Sequence, residues 1–254
     1  MLEFIQLLKQ RYQSVLAQLD NKTPLYFEYQ TALEQLIYAE AFARKGQWLA
    51  EQPQPPLQIA VIGPTQVGKS SVVNLLLNGN LAGVSPLAGF TVHPQGFCHG
   101  LKTIDCAGLQ HYFGRFQALQ PAALSRHRFD CYALTDSPQI SSLLPACVLW
   151  DTPDFDSIDA ADYREGVIRT LALADIVILV VSKEKYADQA VWEVMQTIEP
   201  FGQPTLICLN KLAEGTENLV QDSLRQKWQH SRRDAMPPVV AMGFQKPPAL
   251  PIWP

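Results

Sequence analysis

Residues 63–70 read GPTQVGKS and place two glycines, a lysine and a serine at the spacing GxxxxGK[ST]. An apolar run at 57–62 precedes them and a helix is predicted over 70–77, which is the strand, loop and helix order of a phosphate-binding loop. Backbone N–H groups and the positive end of the helix surround a phosphate in such a loop. Lys69 is expected to reach the terminal phosphates, and the Ser70 hydroxyl to bind Mg²⁺. The residues predicted to contact a nucleotide here are Gly63, Thr65, Gln66, Val67, Gly68, Lys69, Ser70 and Ser71.

A second chemical signal is the aspartate in VLWDTP, residues 148–153. Asp151 ends an apolar strand, and an aspartate at the carboxyl end of a strand beside a phosphate loop holds Mg²⁺ through water. Ser70 and Asp151 are therefore predicted to hold one magnesium ion. The loop and the aspartate leave ATP and GTP as equal candidates.

Residues 206–211, LICLNK, form a third predicted strand, which ends in Asn-Lys. The order of the three motifs over residues 57–243 resembles that of the TRAFAC-class P-loop GTPases, in particular the branch of TrmE–Era-like and dynamin-like GTPases. The resemblance implies that Asn210 and the stem of Lys211 flank a guanine ring, with GTP or GDP as the bound nucleotide. It also implies a mobile-loop threonine that binds the metal. Thr91, in AGFTV at 88–92, is the first candidate, and Thr103 is the alternative.

The chain departs from the GTPase pattern at two places. The guanine-reading NKxD aspartate is replaced by Ala213, with Glu214 one residue late, and its loss is expected to weaken guanine preference. The DxxG glycine is replaced by Asp154, whose carboxylate repels phosphates unless it points away or reaches the metal. The predicted catalytic residues are Lys69, Thr91 and Asp154.

The sequence predicts slow intrinsic hydrolysis that assembly stimulates. Phe155 occupies the position where Ras-like GTPases orient water with a glutamine, and Asp154, Asp156 or a partner's side chain is a candidate to help. Potassium is a possible further cofactor, although Gln66 stands where TrmE-like proteins carry the asparagine associated with it. The alternatives are a non-hydrolysing nucleotide-binding interaction module and an ATPase or kinase that uses the same loop.

Apolar strands that alternate with helices predict an α/β fold, namely the three-layer P-loop NTPase fold with a mainly parallel sheet and an N-terminal α-helical hairpin. The expected organisation is a hairpin at 1–51, a Pro-rich linker at 52–56 and a G domain at 57–254. Segments 128–134 and 146–150 are predicted to form a strand pair. Such domains usually end with a helix after the last strand, but the prolines after residue 243 exclude one here. Either the hairpin covers the face of the sheet where that helix would pack, or a partner segment is missing.

The hairpin is predicted from apolar residues three and four apart, such as Ile5, Leu8 and Tyr12, and from a turn at 20–24. Packing against the nucleotide domain is its simplest role. Self-association, through these helices or through the G domain, is the alternative. Membrane-surface or RNA and ribosome association is compatible with the resemblance but has no support in the residues. The aromatic group at 112–116 is either a partner surface or a local core.

The composition limits the class of protein. The 254 residues are 47% hydrophobic and 17% charged, which allows a sizeable core, and the net charge of −4 argues against a broad basic surface for nucleic acid. The longest apolar run, 171–181, is too short to span a bilayer and contains Asp175. Five scattered cysteines without a CxxC predict no disulfide framework, and Cys98, His99, Cys106 and His111 match no familiar zinc spacing. A cytoplasmic location is expected.

Overall fold

The computed structural model describes residues 1–52, 54–83, 91–155, 160–186, 189–198, 202–232 and 235–243. The helices are α1 Leu2–Leu16, α2 Pro24–Glu51, α3 Lys69–Leu77, α4 Leu109–Phe113, α5 Ala160–Leu173, α6 Gln189–Ile198 and α7 Glu217–Ser231. The strands are β1 Leu57–Ile62, β2 Gln95–His99, β3 Gln117–Leu119, β4 Cys131–Asp136, β5 Cys147–Asp151, β6 Ile176–Ser182, β7 Thr205–Leu212 and β8 Val239–Gly243. No helix in these ranges combines the length and the apolar character that crossing a membrane requires.

The strands form one sheet in the order β3-β4-β2-β5-β1-β6-β7-β8. Neighbouring strands run parallel except β2 and β5, which run antiparallel. The sheet has an apolar layer on each side. Helices α2, α4, α5, α6 and α7 contribute to one layer, and α3 contributes to the other. The mainly parallel α/β fold with an N-terminal helical hairpin is confirmed.

The predicted strand pair is wrong in its partners. Both segments form strands, β4 and β5, but β2 lies between them and hydrogen-bonds to each. Strand β2 was not predicted, because its sequence QGFCH is partly polar and contains a glycine. Gly96 allows β2 to lie between β4 and β5. A Cβ at this position would lie 2.7 Å from the Leu134 side chain and 3.0 Å from the Trp150 ring. The side chains of Leu134 on β4 and Trp150 on β5 can therefore both pack over β2.

The hairpin forms because its turn is well capped. The Thr23 side chain accepts a hydrogen bond of 3.2 Å from the Tyr26 N–H, and Pro24 occupies the first helical turn, where its missing N–H costs nothing. Helix α2 then packs against α5 and α4. The hairpin therefore lies on the side of the sheet opposite to α3, and it does not cover the face on which α3 packs. The segment after Gly243 lies outside the described residues, so the absence of a helix there stays a prediction.

A buried ionic cluster joins the hairpin to α5. Glu40 of α2 is 2% exposed and contacts Lys9 of α1, Arg44 of α2 and Arg169 of α5, the last at 3.2 Å. Arg169 is also 2% exposed and contacts Glu165 at 2.8 Å. Buried charges are tolerated only when each is paired, so these contacts fix how the hairpin sits on α5. Outside the cluster, Lys45 of α2 and Asp175 are 2.7 Å apart.

Glu40 gives the hairpin's attachment a defined dependence on acid. Burial raises the pKa of this carboxyl, but Arg169 and Lys9 outweigh burial and lower it to about 2, against an ordinary 4.5. A carboxyl with a lowered folded-state pKa stabilises the fold above its unfolded pKa and loses that contribution as pH falls through the folded value. We expect the gap in unfolding free energy between the natural chain and Glu40→Gln to shrink below about pH 5. Urea unfolding of both proteins from pH 7 to pH 3 measures this, and a constant gap would contradict it.

Candidate nucleotide-binding site

The phosphate loop connects β1 to α3 through two left-handed residues. Gln66 has a φ of 63° and Gly68 a φ of 92°, so the loop turns tightly before α3 starts at Lys69. Position 68 requires glycine for a second reason, because a Cβ there would lie 2.5 Å from Nδ2 of Asn210. This path places the start of α3, with its unpaired backbone N–H groups, at the carboxyl edge of the central strands. The local geometry is that of an anion-binding loop.

Lys69 lies inside the loop and is 5% exposed. Its ammonium donates hydrogen bonds to the backbone oxygens of Gly63 at 3.0 Å and Pro64 at 3.2 Å. It also forms an ion pair with the carboxylate of Asp154. The structure therefore brings together two of the three predicted catalytic residues, and it shows a direct contact that the sequence did not reveal.

Ser70 and Asp151, the predicted metal ligands, are in contact. The Ser70 hydroxyl donates to Oδ2 of Asp151 at 2.6 Å. Strand β5 runs parallel to β1 with Asp151 opposite Val61, so the acidic strand end lies directly beside the loop. The buried Thr152 hydroxyl donates to the Val61 oxygen at 2.9 Å and fixes this position. No role was predicted for Thr152, because a hydroxyl next to a strand-end aspartate does not by itself indicate a function.

The environment of Asp151 fits a magnesium ion. The residue is 1% exposed, and its Oδ1 has no hydrogen-bond partner among the described residues. Burial raises the pKa of Asp151 to about 6, although the Ser70 hydrogen bond and the nearby Lys69 work in the opposite direction. A buried acceptor without a partner costs free energy that a hard cation and its water offset. Ser70 and Asp151 would hold such an ion between the loop and β5.

The predicted base-side residues contact the same loop. The Asn210 amide donates to the Val67 oxygen at 2.9 Å, and the Lys211 ammonium donates to the Gln66 oxygen at 2.6 Å. An irregularity in β7 between Leu209 and Leu212 and the left-handed φ of 59° at Lys211 turn these side chains toward the loop. Phosphate loop and Asn-Lys motif therefore form one continuous site.

Beyond Lys211 lies an open pocket of about 600 Å³, next to the Asn-Lys motif that was predicted to flank a base. Its lining comprises Lys211, Leu212, Ala213, Glu214, Glu217 and Gly243. Ala213 offers no side-chain acceptor, as the sequence predicted, but two carboxylates line the pocket instead of one. Sequence comparison by motif position missed Glu217. The feature that could have identified Glu217 is its position in the first turn of α7, the helix that follows the loop after Lys211.

Other predicted positions remain partly tested. Thr91 is 9% exposed and adjoins residues 84–90, which lie outside the described residues together with Asp156, so its metal-binding role stays a prediction. Thr103 begins a short 3₁₀ helix. Phe155 is 4% exposed and belongs to the apolar core. Its ring packs in the core and carries no group that could hydrogen-bond to water.

The aromatic group at 112–116 is a local core. Tyr112, Phe113 and Phe116 are buried, and the Phe113 ring packs 4.2 Å from the ring of Tyr132.

The cysteines and histidine at 98–106 have other partners than a metal. The Cys98 and Cys106 sulfurs are 3.8 Å apart, while both ring nitrogens of His99 hydrogen-bond with backbone groups of Pro145 and Ser141. Within the ranges described, no group of three or more His, Cys, Asp or Glu residues is arranged to hold a metal.

Comparison with known proteins places this site in a family. A sequence model described as 50S ribosome-binding GTPase matches residues 58–211, which include both the phosphate loop and Asn210-Lys211. GTPase Der of Campylobacter lari is 35% identical over 126 residues, covering 45% of this chain and 25% of that protein. GTPase Der of Thermotoga neapolitana is 29% identical over 172 residues, covering 63% of this chain and 36% of that protein. The chain thus spans about a third or less of these curated relatives.

Among solved structures, a variant of Era from Aquifex aeolicus bound to GDP and AlF₄⁻ is similar with a TM-score of 0.44 and 18% identity, over 72% of this chain and 50% of that one. Toc33 from Arabidopsis thaliana with GDP and Mg²⁺ gives a TM-score of 0.43 and 17% identity, over 80% of this chain and 77% of that one. The family match covers more than half of the chain and spans the loop, β5 and the Asn-Lys strand. The chain belongs to the 50S ribosome-binding GTPase family.

Proposed function

We propose that this chain binds GTP and GDP with Mg²⁺ and hydrolyses GTP slowly, as a molecular switch or an assembly-coupled GTPase. The observation that carries the proposal is the convergence of Lys69, the Ser70–Asp151 pair and Asn210 on one loop. Phosphoryl transfer depends on positioning and charge stabilisation more than on covalent chemistry. This site offers a buried cation for the terminal phosphates and a hydroxyl–carboxylate pair for the metal.

Each residue has a defined part in the proposed reaction. Lys69 neutralises charge on the β- and γ-phosphates, and the loop N–H groups orient them. Bound Mg²⁺ supplies further charge neutralisation on the phosphate oxygens. Ser70 and Asp151 hold that ion, while Thr91 is proposed to complete its ligands. Asn210 and the stem of Lys211 support the base.

The slow rate of GTP hydrolysis is inferred from the residues that follow Asp151, where other GTPases orient the attacking water. Phe155 is packed in the core, and the neighbouring Asp154 is paired with Lys69. Neither residue is placed to orient water while these contacts hold. A cation or side chain supplied by a partner can raise such a rate by orders of magnitude. The family description makes the 50S ribosomal subunit the first partner to test. Potassium is the ion to test, because the resemblance to TrmE-like GTPases suggested it as a possible cofactor.

Titration calorimetry with GTP, GDP, ATP and ADP in Mg²⁺ tests nucleotide choice. We expect guanine nucleotides to bind more tightly than adenine nucleotides by about tenfold, less than the 10⁴-fold or more of a site with a full set of base hydrogen bonds, because Ala213 leaves the NKxD position without an acceptor. Glu214→Gln and Glu217→Gln identify which pocket carboxylate provides the remaining preference. Adenine nucleotides that bind as tightly as the corresponding guanine nucleotides would favour the ATPase or kinase alternative.

Single-turnover hydrolysis tests the enzymatic part of the proposal. The expected result is slow GTP cleavage by the dilute protein and faster cleavage with potassium or with 50S subunits. Binding without cleavage under every condition would favour the non-hydrolysing interaction module. Fast cleavage by the dilute protein without potassium would contradict the assembly-coupled mechanism.

A further inference from the structure

We propose that Asp154 sets the preference of this site between nucleoside diphosphate and triphosphate, by competing with the γ-phosphate for Lys69. The inference rests on the nucleotide site proposed above. It assigns to Asp154 a role different from the one expected of a DxxG glycine, which contributes only its backbone N–H. Here the side chain is the functional part.

The first support is the hydrogen-bond arrangement of Lys69. An ammonium group has three donors, and here three acceptors surround it: the oxygens of Gly63 and Pro64, and the carboxylate of Asp154. The two carbonyls belong to the loop backbone. Asp154 is the acceptor that can move without unfolding the loop, so a γ-phosphate gains a hydrogen bond from Lys69 by displacing it.

The second support is burial. The side chain of Lys69 is 5% exposed and that of Asp154 is 12% exposed, so the ion pair is shielded from water. A shielded pair with good geometry holds each partner firmly, and removing one partner leaves a buried charge. The Asp154 carboxylate therefore occupies the position beside Lys69 that the γ-phosphate of a triphosphate takes in a phosphate loop.

The third support is charge. A triphosphate brings one more phosphoryl group than a diphosphate, and that group lies nearest to Lys69 and to the DxxG position. Two negative groups a few ångströms apart in a shielded site repel each other strongly. The same carboxylate thus penalises GTP more than GDP, since both nucleotides place a β-phosphate in the loop and only GTP adds a γ-phosphate. GTP binding must move Asp154 away from Lys69.

The test measures affinity for GDP and for a non-hydrolysable GTP analogue in the natural chain, Asp154→Asn and Asp154→Gly, all with Mg²⁺. We expect both variants to bind the analogue at least tenfold more tightly relative to GDP than the natural chain does. Asp222→Asn is the matched control, because it makes the same chemical change on an exposed carboxylate of α7 and should leave the ratio unchanged. Circular dichroism verifies that each variant is folded.

The outcomes separate this inference from the proposed function. An unchanged analogue-to-GDP ratio in both Asp154 variants, with nucleotide still bound, overturns the competition and leaves the GTPase proposal intact. Weaker analogue binding in Asp154→Asn also overturns it, because the carboxylate would then assist the triphosphate. If neither the natural chain nor any variant binds nucleotide, the proposed function fails and the inference fails with it.

Discussion

Lys69→Ala is expected to weaken binding of GTP by about 10²- to 10⁴-fold and binding of GDP by about 10- to 10²-fold. Each charge-assisted hydrogen bond to a phosphate contributes roughly 1.5–3 kcal/mol, and Lys69 is positioned to bond the β- and γ-phosphates of GTP but only the β-phosphate of GDP. The substitution also leaves the Asp154 carboxylate without its cation at the mouth of the loop. Its negative charge then adds repulsion to the lost attraction. Calorimetric titration at millimolar nucleotide measures the loss.

The matched control for this prediction is Lys102→Ala. Lys102 is 72% exposed and contacts Asp136 outside the phosphate loop, so its removal makes the same chemical change without touching the site. The control should bind nucleotide as the natural chain does. Affinity within threefold of the natural value in Lys69→Ala would show that phosphates bind elsewhere, and the proposed function would then lose its basis.

Glu40→Gln is expected to lower the free energy of unfolding by about 3–5 kcal/mol at pH 7, the usual range for removing one partner of a buried ion pair. The neutral amide keeps the size of the side chain but removes the negative charge that Lys9, Arg44 and Arg169 share, and it replaces one of the two acceptor oxygens by an NH₂ donor. Glu165 is then the carboxylate that remains beside Arg169. Because Glu40 links both hairpin helices to α5, the loss concerns the docking of the hairpin and not one local contact. Urea unfolding followed by tryptophan fluorescence measures it.

Glu28→Gln provides the comparison on the same helix. Glu28 is exposed, and exposed substitutions away from special features usually change stability by less than about 0.5 kcal/mol. Nucleotide affinity of Glu40→Gln, measured in parallel, tells whether the hairpin influences the site. A loss below about 1 kcal/mol in Glu40→Gln would mean that the ionic cluster contributes little to docking.

The local elements were predictable because their signals are local. The turn before Pro24 and the spacing GxxxxGK[ST] each depend on neighbouring residues, and both appear where the sequence placed them. Strand β2 was not predictable in the same way. Its residues QGFCH lack an apolar run, and the strand exists because β4 and β5 offer it partners on both sides. Strand pairing is a long-range choice, which a local pattern does not contain.

The aromatic group at 112–116 shows the same division. A cluster of large apolar side chains indicates burial, yet the sequence left a partner surface and a local core equally open. The stacking of Phe113 on Tyr132 decides for the core, and that contact joins α4 to β4 across an intervening segment. Similarly, the sequence identified Glu214 near the base pocket, but only the start of α7 places Glu217 there as well.

By itself the sequence determined that this chain carries a phosphate loop, a strand-end aspartate and an Asn-Lys strand, because a fixed spacing of residue types is enough to specify each motif. The tertiary structure decided which charged groups meet. Asp154 pairs with Lys69 across 85 positions, and Arg169 pairs with Glu40 across 129. The strength of an ion pair depends on distance and on exclusion of water, and both arise only when separate elements pack together.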